Sequence, residues 1–140
     1  MTGLKPVTNT EDMNRTKISS NTKWEDIVGY SRAVRVGNII EVAGTTAVDG
    51  EEIIGIGNPY EQTKFIFQKI ERALIEAGAT MKDVVRTRMF VTNMDDWEEI
   101  GRAHGEFFKD IKPASTMLEV SRFIDEKILI EIEVSAIISK

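Results

Sequence analysis

Cysteine is absent from this 140-residue chain and histidine occurs once. The first absence excludes disulfides, thiolate nucleophiles and cysteine-based zinc sites. The second leaves a metal centre short of its usual ligands, so neither a metal nor a cofactor is expected. Long apolar runs are missing as well. No stretch approaches the roughly 18 to 20 apolar residues of a membrane span, and the first 25 residues hold no signal-type apolar segment, so no membrane partner is expected. Basic charge is outnumbered, with 18 Lys and Arg against 23 Asp and Glu and a net charge of −5. A surface that neutralises phosphates clusters Lys and Arg, so no nucleic-acid partner is expected either. A soluble, cytoplasmic protein fits these absences.

What is present is enough for one domain. A hydrophobic content of 41% over this length supplies a single core and leaves no room for a second. Residues 1–20 read as a flexible or extended arm, since Met1 to about Asn14 is polar and without period, and residues 21–140 read as the domain. Ser31–Val36 and Ile39–Ala43 pattern as strands joined at Gly37-Asn38, and Asp49-Gly50 is a hairpin signal before Ile53-Ile54, which together suggest a three-stranded meander. Asn58-Pro59 is a cap followed by a proline at the first helical position. Ile66, Ile70, Ala73, Leu74 and Ala77 then keep helical spacing until Gly78. Val84–Thr92 alternates like a strand, Asn93–Asp96 caps a second helix, and Trp97, Ile100, His104, Phe107 and Phe108 form its apolar stripe. After Lys112-Pro113 come two more strands, Thr116–Val120 and Ile128–Ile138.

This order gives an α+β layer, with helices on one face of a mixed sheet. Aliphatics fall on both faces of the strands, so the uncovered face is expected to be apolar and to close an oligomer. In Ile130-Glu131-Ile132-Glu133-Val134, period two puts both glutamates on one face and the aliphatics on the other.

Pro113-Ala114-Ser115-Thr116-Met117-Leu118-Glu119-Val120-Ser121-Arg122, followed by Ile130-Glu131-Ile132-Glu133, resembles the signature of the RidA family, also called YjgF or L-PSP endoribonuclease-like. Gly29-Tyr30-Ser31-Arg32-Ala33-Val34, Val36-Gly37-Asn38, Ala43-Gly44, Ala77-Gly78 and Asp83-Val84-Val85-Arg86-Thr87 look like family positions too, so the likeness runs from about Trp24 to Ile138. It implies a chorismate-mutase-like subunit with two helices on one face of a mixed sheet. It also implies a homotrimer around a central barrel, with three small-molecule clefts at subunit boundaries. The activity it implies is hydrolysis of reactive enamines and imines to carbonyl products and ammonia.

The same resemblance maps the site. Tyr30 matches a cleft tyrosine and Glu131 an acid that positions or activates water, while Gly44 would offer its amide to a substrate oxygen. From the residues alone, Glu131 reads equally as an interface carboxylate and Tyr30 as a strand-start aromatic. The family's carboxylate-binding arginine would stand at Ser115, which has no charge. Met117, Gly101 and Thr45 also depart from residues common in the family, at positions the resemblance places in the substrate site. Arg32, Arg88, Arg102 and Arg122 are the arginines from which a substitute anchor would come, although Arg122 also suits a cross-strand pair with a glutamate. His104 has two readings, a proton-shuttling site residue and a hydrogen-bonded histidine at the core edge. Three functions follow in order: an enamine or imine deaminase of altered substrate class, a trimer that binds a small ligand without turnover, and last a ribonuclease or chaperone-like protein.

Overall fold

Strict alternation in the last strand sets the architecture of the computed structural model, which describes residues 14–139. In β8 (Ile130–Ile137), Ile130, Ile132, Val134 and Ala136 are fully buried, while Glu131, Glu133 and Ser135 face the other way and are partly exposed. The period-two reading of the glutamates therefore holds. Two antiparallel neighbours flank this strand: β3 (Ile39–Thr45) on one side and β6 (Val84–Val91) on the other. β2 (Ala33–Val36) and then β1 (Arg15–Ile18) extend the sheet beyond β3. At the far edge β7 (Ala114–Glu119) lies parallel to β6, which makes the six-stranded sheet mixed.

Two local expectations change. Asp49-Gly50 does turn a hairpin, but its strands, β4 (Val48–Asp49) and β5 (Glu52–Ile53), form a separate two-stranded ribbon. The edge of β3 that a meander would have used is taken by β8, whose unbroken apolar face buries more. At the other end, Arg15–Ile18 falls inside the stretch read as an arm, yet it pairs with β2 and buries Ile18. Residues 1–13 of that stretch lie outside the described residues.

Helix α1 (Pro59–Glu76) begins where Asn58 Oδ1 accepts the Glu61 amide at 3.0 Å, and it ends before Gly78, whose φ of +93° takes the chain out of the helix. Its inner face, with Ile66, Phe67, Ile70 and Leu74 essentially dry, packs on β3 and β8. Each such side chain contributes about 1.5 to 3 kcal/mol of burial. Helix α2 (Trp97–Phe108) packs against α1 and buries Ile100, Ala103 and Phe108. Trp97 does not join that stripe. It occupies the first helical position, is 56% exposed, and so belongs to the surface rather than the core.

Both helices cover one sheet face, as the sequence indicates. The open face is less apolar than expected. Arg86, Arg88, Glu41, Glu131 and Glu133 stand along its middle, and exposed Val36, Ile39 and Ile137 gather at one end. The alternation that dries one face of β8 and β6 is what puts charge on the other. Arg88 and Glu133, register partners on β6 and β8, make the cross-strand ion pair at 3.7 Å. Arg122, the sequence's candidate for such a pair, lies exposed beyond the end of β7 and has no ion pair among the described residues. No helix among the described residues is long and apolar enough to cross a membrane.

Candidate active site

Glu131 and Gly44 meet through an irregularity in strand pairing. The register of β3 against β8 shifts between Val42 and Thr45, so Gly44 faces the outward side chain of Glu131 rather than a regular partner. Lacking a side chain, Gly44 lets the carboxyl group settle onto its backbone. A Cβ built there would sit on Glu131 Oε2 and 2.8 Å from its Cδ. No described residue makes a hydrogen bond to the Glu131 carboxyl, which is only partly exposed. Burial raises its pKa above the ordinary 4.5, and the neighbouring charge of Glu133 raises it further. The Arg32 guanidinium opposes both without reversing them. A half-dry carboxyl group with no partner among the described residues and a raised pKa is suited to exchange protons near neutrality.

Arg32 is fixed beside this pair. Its Nη1 donates to Gly44 O at 2.8 Å and to Thr45 Oγ1 at 2.9 Å, and reaches Ala43 O at 3.4 Å. Thr45 is buried, and its hydroxyl also donates to Ala43 O at 2.8 Å. Thr45 thus acts on the guanidinium and the bulge rather than facing solvent. The ring of Tyr30 lies 5.7 Å from the guanidinium carbon of Arg32. Tyr30 ends a single π-turn, Glu25–Gly29, with its amide bonded to Glu25 O at 3.0 Å. It borders an open groove of about 880 Å³ on the uncovered sheet face, together with Ser31, Val34, Glu41, Ala43 and Glu133.

Ser115 lies elsewhere. In β7 it registers with Thr87 of β6, whose side chain is fully buried on the helix side of the sheet, while Glu131 registers with Phe90 on the open side. Within one chain, the sheet itself separates Ser115 from Glu131. Thr87 Oγ1 donates to Ser115 Oγ at 2.8 Å and lies 2.9 Å from His104 Nε2, which joins a surface hydroxyl to a half-buried imidazole. His104 stacks among Phe67 and Phe108, with ring centroids 5.5 and 4.8 Å away, and burial lowers its pKa. The core-edge reading of His104 describes this placement. With His104 neutral, an Nε2–H that donates to Thr87 lets Thr87 donate onward, leaving the Ser115 hydroxyl proton free to point outward.

Thr87 was missed as a polar residue of interest. Its signal was available, because alternation puts a hydroxyl in line with Met89 and Val91 on the apolar face, where it needs a partner. Thr87→Val keeps the shape and strips His104 and Ser115 of their shared partner. We expect it to cost about 1 to 3 kcal/mol, read as a lower urea midpoint at unchanged slope.

The remaining predicted site residues are not drawn together with these. Met117 registers with Met89 and packs against the core from the helix side. Gly101 sits on the exposed side of α2, where an added Cβ would meet nothing. The predicted site residues thus lie on both faces of the sheet: Glu131, Gly44, Arg32 and Tyr30 on or beside the open face, Ser115, Met117 and His104 on the covered one, and Thr45 buried in register with Ile132. Among the described residues no group of three or more His, Asp or Glu is placed to hold a metal ion.

Comparison with known proteins agrees with this fold. The family described as Endoribonuclease L-PSP matches residues 21–138. An uncharacterized protein of Streptomyces coelicolor is 41% identical over 120 residues, covering 86% of this chain and 90% of that protein. The crystal structure of a Mycobacterium tuberculosis member of the YjgF/YER057c/UK114 family superposes with a TM-score of 0.79 at 44% identity, covering 89% of this chain and 99% of the other. A more distant relative, 28% identical over 104 residues and covering 74% of this chain and 82% of its own, is the 3-aminoacrylate deaminase RutC of Acinetobacter baylyi.

Proposed function

We propose, for a chain that belongs to the Endoribonuclease L-PSP family and has the YjgF and Rid fold, that it hydrolyses small imines and enamines to carbonyl compounds and ammonia. The observation that carries this reading is the Glu131 carboxyl, without a hydrogen-bond partner among the described residues and resting on the bare backbone of Gly44. In its protonated form Glu131 donates a proton to an enamine carbon or an imine nitrogen. Its carboxylate then takes a proton from the water that adds to the C=N carbon. That proton goes to the nitrogen of the resulting carbinolamine, the C–N bond breaks and ammonia leaves, and the hydroxyl proton passes back to the Glu131 carboxylate as the C=O bond forms. The sum is imine plus water giving carbonyl plus ammonia, with Glu131 returned to its starting state. The deaminase name of a relative supports the same reaction class.

The cleft in this proposal is shared between copies in a homotrimer. Ser115 and Glu131 lie on opposite faces of one sheet, so a pocket lined by both takes one residue from each of two chains. The interleaving of Glu41, Glu131 and Glu133 with Arg86 and Arg88 on the open face favours a small polar ligand over a polyanion such as RNA. A second reading, binding without turnover, draws on Ser115, whose hydroxyl supplies no charge where the family uses an arginine. An ammonia-release assay across a panel of imines and enamines separates the two. The deaminase reading expects release above the spontaneous rate for at least one substrate. Thermal stabilisation by these compounds or their products with no extra ammonia would instead establish the binding reading.

A further inference from the structure

Three polar side chains form a continuous chain from the core edge to the outermost strand of the sheet. His104 Nε2 lies 2.9 Å from Thr87 Oγ1, which lies 2.8 Å from Ser115 Oγ. Thr87 is fully buried, whereas Ser115 stands exposed on β7, at the edge of the sheet. Among the described residues no charged side chain hydrogen-bonds to any of the three. Each hydroxyl has one proton, so the chain can run in two directions. Either Nε2–H donates to Thr87 and Thr87 to Ser115, or Ser115 donates to Thr87 and Thr87 to a bare Nε2. The other ring nitrogen decides between them. Nδ1 has no acceptor among the described residues, and the ring lies against Phe67 and Phe108. A proton on Nδ1 would be a donor without a partner, while Thr87 Oγ1 stands ready to accept one from Nε2. Burial lowers the His104 pKa and keeps the ring neutral at pH 7. The chain then runs outward, from His104 to Thr87 to Ser115.

We infer that His104, acting through Thr87, fixes Ser115 as a hydrogen-bond donor to ligand, and that the group it receives is an uncharged acceptor such as an amide, ester or ketone oxygen. The inference rests on the deaminase reading for its reaction and adds a substrate class: imines and enamines that carry a neutral carbonyl substituent rather than a carboxylate. Thr87 occupies one lone pair of Ser115 and leaves its proton free, so the hydroxyl is oriented before a ligand arrives. One neutral donor offsets the desolvation of a carbonyl oxygen. It does not offset that of a carboxylate, which loses far more on leaving water and needs a charge or several donors in return. A freely turning hydroxyl would take donors and acceptors alike, and the fixed direction is what makes this position selective. Thr87 and His104 are positioning residues, since both act through Ser115.

The test uses two readouts on the full-length protein, neither of which needs turnover. Histidine occurs once in the chain, so the imidazole nitrogens of the 15N-labelled protein give a single pattern that needs no assignment. At pH 7 that pattern is expected to be the Nε2–H tautomer in the wild type and in Thr87→Ser, which keeps the hydroxyl. An Nδ1–H tautomer, or rapid averaging of the two, overturns the inference. The second readout compares butanamide with butanoate, a neutral and a charged ligand of the same shape, at matched ionic strength. Butanamide at concentrations far above its Kd is expected to raise the thermal midpoint of the wild type by about 3 °C, and butanoate by less than about 1 °C. Ser115→Ala and Thr87→Val each weaken amide binding by about 10-fold, and the double variant is no weaker than Ser115→Ala alone. Thr87→Ser retains most of the binding. Equal or greater stabilisation by butanoate, or additive losses in the double variant, overturns the inference. So does a Thr87→Val chain that melts earlier yet binds the amide as the wild type does, because Thr87 would then serve packing alone. Amide binding that depends on Ser115, with no ammonia from any substrate, would sink the deaminase reading and leave the inference standing. Ammonia release from neutral imines that is untouched in Ser115→Ala would do the reverse.

Discussion

Gly44→Ala is expected to lower ammonia release by about 100-fold while leaving the chain folded. The added Cβ would occupy the space now filled by Glu131 Oε2, with Cδ 2.8 Å and Cγ 3.2 Å away. All three are atoms toward the free end of a flexible side chain, so the carboxyl group swings aside and the backbone need not move. The stability cost is accordingly at the low end for overpacking, about 1 kcal/mol. Catalysis has no such tolerance, because a misplacement of about 1 Å costs on the order of 100-fold. Steady-state kinetics beside a urea titration measures both quantities. A large fall in stability with activity intact would mean that Gly44 serves packing rather than the placement of Glu131.

Glu131→Gln is the second large effect, and its signature is in pH as well as rate. The pKa of Glu131 is raised in the folded chain, chiefly by burial and then by Glu133. Between the ordinary value of 4.5 and the raised value the folded state therefore binds more protons than the unfolded one. Stability falls as pH rises across that window: the favourable contribution is full below it and lost above it. Glutamine is neutral throughout and lacks this slope. The variant should match or exceed the wild type in urea stability at pH 7, and the difference should shrink as pH falls toward 4.5. Chemical denaturation across pH reads the effect directly. A variant less stable at pH 7 would show that the Glu131 carboxylate is held by favourable interactions, as an interface carboxylate would be.

The fold was legible because local and long-range signals agreed. Asn58-Pro59 and Gly78 marked both ends of α1, and the alternation in β8 put its glutamates opposite its isoleucines, as the structure has them. Where local signals stood alone they misled. Asp49-Gly50 named a turn correctly but could not say that β3 would prefer β8 as its neighbour. Trp97 fitted the stripe by spacing, yet the first turn of α2 projects past the core that Ile100 and Phe108 fill. Arg15–Ile18 has too weak an apolar pattern to announce a strand, and it gains its place from the open edge of β2.

The site was half legible for a geometric reason. The resemblance put Glu131, Tyr30 and Gly44 forward, but the face each residue occupies depends on pairing across the sheet. Only the register of β7 with β6 shows that Ser115 belongs with Thr87 and His104, on the side away from Glu131. The bulge between Val42 and Thr45, which brings Gly44 and Arg32 beside Glu131, has no clear sequence signature beyond the glycine itself.

The most direct measurement of the central claim is ammonia release from a freshly generated small enamine, followed with the wild type and Glu131→Gln in parallel. The wild type should release ammonia well above the spontaneous rate, and the variant, equally folded, should fall by about 100- to 10,000-fold toward it. Equal acceleration by both proteins would contradict the assignment of Glu131 as the proton-transferring group and, with it, the site described around Gly44.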